Sequence, residues 1–398
     1  MTSHNLSNRT VASGRVHDVD ALRGIALLGI LVVNITFMAS AYPGNLVQSP
    51  AFSTPIDDIA RFTVAALFSM KFYLLFSFLF GYSFVLQLQS ARRAGRAFVP
   101  RILRRLGGLF VLGALSLFLF SGDILSTYAV VGLILLAMHR VRDVVALRTA
   151  AVIFAVVLVS FIISALFLDR SAFVPGHAEA MANAEAQTQT MLGSFSGLVQ
   201  QNLDGLEFMV IQSASLQGPM ALAMFLLGMV AARRRLFADL AERTSLLRRV
   251  QLVGYPVGLA GGFAYAALGA HSDTMAAAIS VATSPFLAAA YVASLLRLLH
   301  SPRLSWLRRA LAPAGRLALT NYLAHAVIGF VLFTGVGLGL AGRVSPPLLV
   351  LLAVVVFVAQ TVVSAWWLQR HRYGPAEYLL RVVTHGGRPP RRTEPGTE

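Results

Sequence analysis

Ala21-Leu-Arg-Gly-Ile-Ala-Leu-Leu-Gly-Ile-Leu-Val-Val-Asn-Ile-Thr-Phe-Met-Ala-Ser-Ala41 carries a single charged side chain, Arg23, near its start. A hydrocarbon core about 30 Å thick takes about 20 residues of helix. Lipid offers backbone N–H and C=O groups no partner, so a spanning segment is a helix or part of a closed barrel. The period-two alternation of a barrel strand is absent here. The run exceeds the roughly 7–15 apolar residues of a secretory signal and lacks a convincing small-residue cleavage site. It reads as a retained first transmembrane helix.

Similar runs recur along the chain. Of its 398 residues 57% are hydrophobic and 13% charged, against about 25% charged in a soluble domain, too few to cover a water-facing surface. The expected fold is all-α: a polytopic integral membrane protein with about ten transmembrane helices. They fall near 20–41, 58–89, 103–120, 122–139, 149–168, 206–232, 250–270, 275–299, 313–335 and 346–369. The hairpin at Ser121-Gly122-Asp123 joins two short members, for which a re-entrant pair is the alternative. Residues 1–17 form a cytoplasmic N-terminal segment and 18–385 a single transmembrane domain with an outer loop at 169–205. Residues 386–398, rich in Pro, Gly and Arg, form a disordered cytoplasmic tail.

The net charge of +16 does not indicate nucleic acid. The arginines come as short clusters between apolar runs, among them Arg92–Arg105, Arg233–Arg249, Arg297–Arg309 and Arg370–Arg392, whereas the intervening loops hold few, such as Arg170 and Arg343. This is the positive-inside pattern, and it places both termini in the cytoplasm. The partner so implied is the lipid bilayer, with the oligomeric state open. The absence of cysteine removes disulfides, thiolate metal sites and thiol nucleophiles. No metal motif, Walker loop or dinucleotide fingerprint is present.

Ionisable groups within spans usually face a bundle interior or a wet cavity, and three regions hold most of them. In the first, Asp20, Arg23, Leu27, Leu31 and Asn34 are spaced by three and four, on one helical face. Asp20 and Arg23 stand at the cytoplasmic mouth, with Asn34 about 16 Å deeper. The plain alternative is a helix cap at Asp18 or Asp20 with Arg23 snorkelling. In the second, Lys71, the one lysine of the chain, is matched with Asp123 as an outer-side polar pair, with Glu207 as second candidate. In the third, Asn321 and His325 lie one turn apart, as do Arg316 and Thr320. Gln360, Ser364 and Trp367 of the last helix answer them, and Pro375 starts a short helix carrying Glu377. His325 is the candidate base, against a plain packing role. Asp20 and Glu377 are expected to hold Arg23 and Arg316 around one cytoplasmic opening suited to phosphate or carboxylate. Gly254, Gly258 and Gly262 permit close helix contact, inside the bundle or between subunits.

The stretches His17–Asn34, Phe76–Phe84, Gly122–Tyr128, Ala312–Tyr322 and Gln360–Arg381, in this order, resemble the YeiB-like family (domain of unknown function 418). The resemblance implies a multi-pass protein of the bacterial inner membrane. That family in turn looks distantly similar to transmembrane acyltransferases, which share an Asp-x-x-Arg-Gly lead-in matched here by Asp20, Arg23 and Gly24. Such enzymes would move an acyl group from cytoplasmic acyl-CoA, a co-substrate rather than a bound cofactor, to a sugar or envelope acceptor. Many have a histidine farther along the first helix, near the place where Asn34 stands, and asparagine cannot serve as a base. At His325, YeiB-like proteins more often have glutamine. Beside acyl transfer stand two other functions: a transporter or exporter of a small organic solute, and a non-catalytic envelope protein.

Overall fold

The computed structural model describes residues 2–95, 97–169, 175–237 and 243–385, and the side chains of 18–384 within those ranges. Helix is the only regular structure among the described residues. Among the described residues six helical segments are long and apolar enough to cross a membrane: Asp18–Met38, Pro55–Arg93, Asp143–Phe167, Leu206–Arg233, Thr274–Leu299 and Pro346–Arg370. Ser305–Arg316 and Ala318–Phe333 make a seventh if taken together, bent by 71° at Leu317. The protein is an all-helical, multi-pass membrane protein.

The remaining expected spans differ for physical reasons. The hairpin is α4 (Val99–Ser116) and α5 (Leu125–Ala137). At 13 residues α5 rises about 20 Å, short of a bilayer core. α11 (Thr244–Ala267) is 24 residues long, but its arginines, glutamine and glycines dilute its apolar character. The outer segment is largely helical, with α7 (His177–Leu192) and α8 (Phe195–Asp204). The first helix, α1, runs Thr2–Met38, so helix continues through the N-terminal segment. The expected disordered tail and Arg170 lie outside the described residues.

Ion pairs and hydrogen bonds gather the helix ends into two groups. At the arginine-rich end Asp18 meets His300 and Arg308, and Asp143 meets Arg233 and Arg234. At the other end the Tyr42 hydroxyl donates to Glu185, Gly342 N–H to Ala39 O, and Gly335 N–H to Met191 O.

Close backbone approach fixes the centre. α1 crosses α13 (Ser305–Arg316) where two glycines face opposite backbones. A Cβ on Gly24 would stand 2.6 Å from Leu311 O, and one on Gly315 1.7 Å from Asp20 O. The glycine of the Asp-x-x-Arg-Gly lead-in is thus a helix-crossing residue. α3 (Lys71–Arg93) and α10 (Gly218–Arg233) touch in the same way through Gly81 and Gly228. The stripe on α11 also serves contacts within the bundle: Gly254 and Gly258 face α12 (Thr274–Leu299), and Gly262 faces α2 (Pro55–Leu67).

α2 starts on a reciprocal capping box between Thr54 and Asp57. Its junction with α3 places Met70 at φ 67°. The Lys71 ammonium, fully buried, donates to Ala65 O at 3.2 Å and lies over the Tyr265 ring, 5.3 Å from its centroid. Tyr291 donates to Leu67 O at 3.0 Å. Carbonyls freed at the end of α2 are therefore satisfied by side chains, and a cation there suits the helix dipole.

Gly315→Ala is expected to lower the thermal stability of the detergent-solubilised protein by about 2 kcal/mol, the cost of overpacking. Gly107→Ala, where an added Cβ meets nothing within 4 Å, is expected to be neutral or stabilising. Equal melting temperatures for the two variants would refute the close crossing.

Candidate functional site

At the arginine-rich end, Arg23 donates to Asp20 at 2.9 Å and to the Ser83 hydroxyl. Arg23 retains 27% of its side-chain exposure while Asp20 is almost buried, so the guanidinium borders water above an interior carboxylate. Arg105 of α4 lies within electrostatic reach of Arg23, Arg381 and Glu377. Arg381 of α16 (Pro375–His385) stacks on Tyr373, 4.2 Å from ring centroid. Three arginines from α1, α4 and α16 thus lie near one another at this end, with Arg105 between the other two in electrostatic reach. Ser83, Arg105 and Arg381 were not legible as site residues: the two arginines read as loop charges that orient the chain.

Glu377 does not hold Arg316. It accepts from Leu319 N–H at 2.8 Å, Thr320 N–H at 3.1 Å and the Thr320 hydroxyl at 2.5 Å. The bend at Leu317 leaves the first N–H groups of α14 (Ala318–Phe333) without intrahelical partners, and a carboxylate there satisfies them and suits the dipole. Arg316 is exposed and makes no side-chain hydrogen bond or ion pair among the described residues. Its neighbour Gly315 abuts Asp20, so its backbone belongs to the mouth even though Glu377 is engaged elsewhere.

Deeper in the bundle a polar chain links α14 to α15 (Pro346–Arg370). Asn321 Nδ2 donates to Ala314 O at 3.1 Å and to Ser364 Oγ at 3.0 Å, bracing the bend from inside. Gln360 Nε2 donates to Asn321 O at 3.1 Å, which leaves Gln360 Oε1 as the acceptor facing His325 Nε2 at 2.9 Å. His325 Nε2 therefore carries the proton, and Nδ1 is the bare nitrogen of a neutral ring. It is buried and has no hydrogen-bond partner among the described residues. Trp367 stands outside this chain, donating to Tyr373 O at 2.9 Å. Asn34 is half-buried and makes no side-chain hydrogen bond among the described residues.

Asn321, His325, Gln360, Ser364, Glu377 and Arg381 lie in a stretch matched by a family model. The model for the family described as "Protein of unknown function (DUF418)" matches residues 231–387. An uncharacterised protein of Bacillus subtilis, YxaH, is 30% identical, with 94% of this chain and 96% of that protein covered. This chain belongs to the YeiB-like DUF418 family. YeiB of Escherichia coli, also uncharacterised, is 28% identical over 92% of this chain and 95% of its own length. An uncharacterised protein of Bacillus acidopullulyticus is 26% identical over 93% of this chain and 94% of that protein. The likeness to these relatives runs along nearly the whole chain rather than one segment.

The expected pair of Lys71 and Asp123 does not form. Lys71 is spent on Ala65 O and Tyr265, as described. Asp123 accepts from Leu125 N–H at 3.1 Å and Ser126 N–H at 2.9 Å, capping α5. Glu207 is exposed and does not approach Lys71. Both buried charges solve local helix-end problems, a solution that sequence spacing could not separate from an ion pair.

If this holds, Lys71→Met and Asp123→Asn alter stability independently. Their combined effect should equal the sum of the single effects to within about 0.5 kcal/mol; a coupling energy clearly above that would restore the pair. A second expectation concerns pH. His300, which follows α12, faces Asp18 at 3.3 Å, and this carboxylate holds its pKa above the ordinary 6.5. The pairing stabilises the fold fully below the unfolded value and is lost as pH rises through the raised folded value. Melting temperature should therefore fall more steeply across neutral pH in the parent than in His300→Gln. Parallel curves would show that the pair contributes nothing.

Proposed function

We propose that the protein is a transferase of the bacterial inner membrane, with its arginine-rich end in the cytoplasm, that moves an acyl group from acyl-CoA to a hydroxyl or amine acceptor. The observation that carries this reading is the pairing of a three-arginine mouth with a buried histidine whose Nδ1 lone pair is unengaged. Arg23, Arg105 and Arg381 suit the phosphates of the donor, which guanidinium forks bind in place. Arg316, exposed beside the mouth, adds charge there. Asn34 lies about 16 Å above Arg23, which sets the distance an extended donor arm must reach. His325 Nδ1 takes the proton of the acceptor as its oxygen or nitrogen attacks the thioester carbonyl. The C–S bond then breaks, and the thiolate leaves and is protonated. Gln360 holds the ring in the required tautomer, and Asn321 holds Gln360. Asn34 orients rather than deprotonates.

A second reading, movement of a small organic solute, is favoured by the two interrupted passes, at Met70 and at Leu317, since discontinuous helices are a feature of transporters.

A cysteine-free chain adds no thiol of its own, so a thiol-reactive chromophore reports released CoA above the background of the extract. With short- and long-chain acyl-CoA and a native membrane extract as acceptor source, the purified protein is expected to release CoA. Arg23→Lys should weaken donor binding by at least about tenfold, as expected for a lost fork. His325→Gln, which can still donate to Gln360, should slow release about a hundredfold, within the range for a general base. Release no faster than in protein-free membranes would exclude acyl transfer. Solute uptake by proteoliposomes without CoA release would support the transport reading.

A further inference from the structure

Remote from the arginine mouth, the structure encloses a cleft of about 130 Å³ between the end of α1, the α4–α5 hairpin, the α7–α8 pair and α14. Asp20 and Met38 stand near opposite ends of the Asp18–Met38 span of α1, about 27 Å apart by helical rise. None of the residues lining the cleft is ionisable, in a chain whose formal charge is +16. Its polar groups are carboxamides and hydroxyls. Its apolar lining sets Phe37, Phe120 and Phe330 among methionines, leucines and alanines.

Asn202 is the informative residue. It is only 7% exposed and lines the cleft, and its carboxamide nitrogen has no hydrogen-bond partner among the described residues. A buried N–H donor without an acceptor costs about 1–3 kcal/mol, so it marks a place where an acceptor belongs. Other groups are already partly assigned. Gln187 Oε1 accepts from Asn45 at 2.8 Å, which leaves its NH₂ for the cleft. The Thr334 hydroxyl donates to Phe330 O at 2.8 Å, so its oxygen remains an acceptor. Donors and acceptors thus stand side by side between aromatic faces.

We infer that this cleft binds an uncharged, hydroxyl-rich ring, a monosaccharide unit. Hydroxyls donate and accept at once, as the mixed amides and hydroxyls require, and the C–H faces of a sugar ring suit phenylalanine walls. A carboxylate, phosphate or zwitterion would be enclosed without a counter-charge. A hydrocarbon chain would leave the Asn202 N–H against apolar atoms. The volume is several times what a single water needs. The inference stands apart from acyl transfer, since the same ring could be an acceptor or a cargo.

Gly44 lines the cleft, and a Cβ there meets nothing within 4 Å. Gly44→Cys therefore gives the cysteine-free chain a single thiol at the cleft, and Gly176→Cys, equally open, a thiol outside it. In the purified full-length protein, glucose or N-acetylglucosamine at about ten times its Kd is expected to slow modification of Gly44→Cys about tenfold. Modification of Gly176→Cys should be unchanged, and alanine or sodium chloride should protect neither. Adding Asn202→Leu should abolish protection while keeping or raising the melting temperature, because it removes an unmet donor. Adding Gln201→Ala, at a half-buried lining position, should weaken protection severalfold without a loss of folding. No protection by either sugar, equal protection by alanine, or protection that survives both substitutions would overturn the inference. Intact CoA release in a protein that binds no sugar would sink the cleft alone.

Discussion

Everything at the arginine-rich end depends on two backbones meeting where α1 crosses α13. Asp20 O and Leu311 O come so close to the opposing helix that only hydrogen fits at Gly315 and Gly24. This approach sets where Arg23 emerges, brings the Leu317 bend beside the first helix, and so fixes the start of α14. Glu377 then fills the donors that the bend exposes, which ties α16 to the same place. A shift of α13 away from α1 by one methyl group would loosen each of these in turn, because packed helices adjust in steps rather than smoothly.

The charges inside this bundle are used mainly at breaks in helices. Lys71 answers the end of α2, Asp123 the start of α5, and Glu377 the start of α14. In lipid, an interrupted helix must find partners for its free backbone groups, and a charged side chain is a strong partner because its hydrogen bonds are charge-assisted. The cost of burying the charge is thereby shared with the backbone that needs it. Arg23 and His325 differ in kind. One stays partly exposed, and the other keeps a nitrogen that no backbone or side-chain group engages.

Much of the architecture was legible from residue order. Apolar run length and arginine spacing gave the membrane class and the main helices, and Pro375 marked the short helix that bears Glu377. The Asn321, Gln360 and Ser364 contacts followed from residues spaced to share facing stripes. The Leu317 bend was not legible: Pro313 lies inside α13, and no turn residues separate α13 from α14. Nor could spacing distinguish an acid that pairs with a lysine from one that caps a helix, which is why Asp123 was matched to Lys71. Arg105 and Arg381 carried the right charge in the sequence but no sign that they converge, since their helices meet only in three dimensions. The orphan nitrogen of Asn202 is likewise a property of packing, invisible in a loop rich in similar residues.

Lys71 has a chemical consequence. Because the chain's single lysine is sealed at the junction of α2 and α3, the intact fold presents no side-chain amine to acylating or cross-linking reagents. Modification of that residue would record separation of the junction from Tyr265, so ordinary amine chemistry becomes a site-specific clock for opening in the middle of the bundle, with no label to introduce.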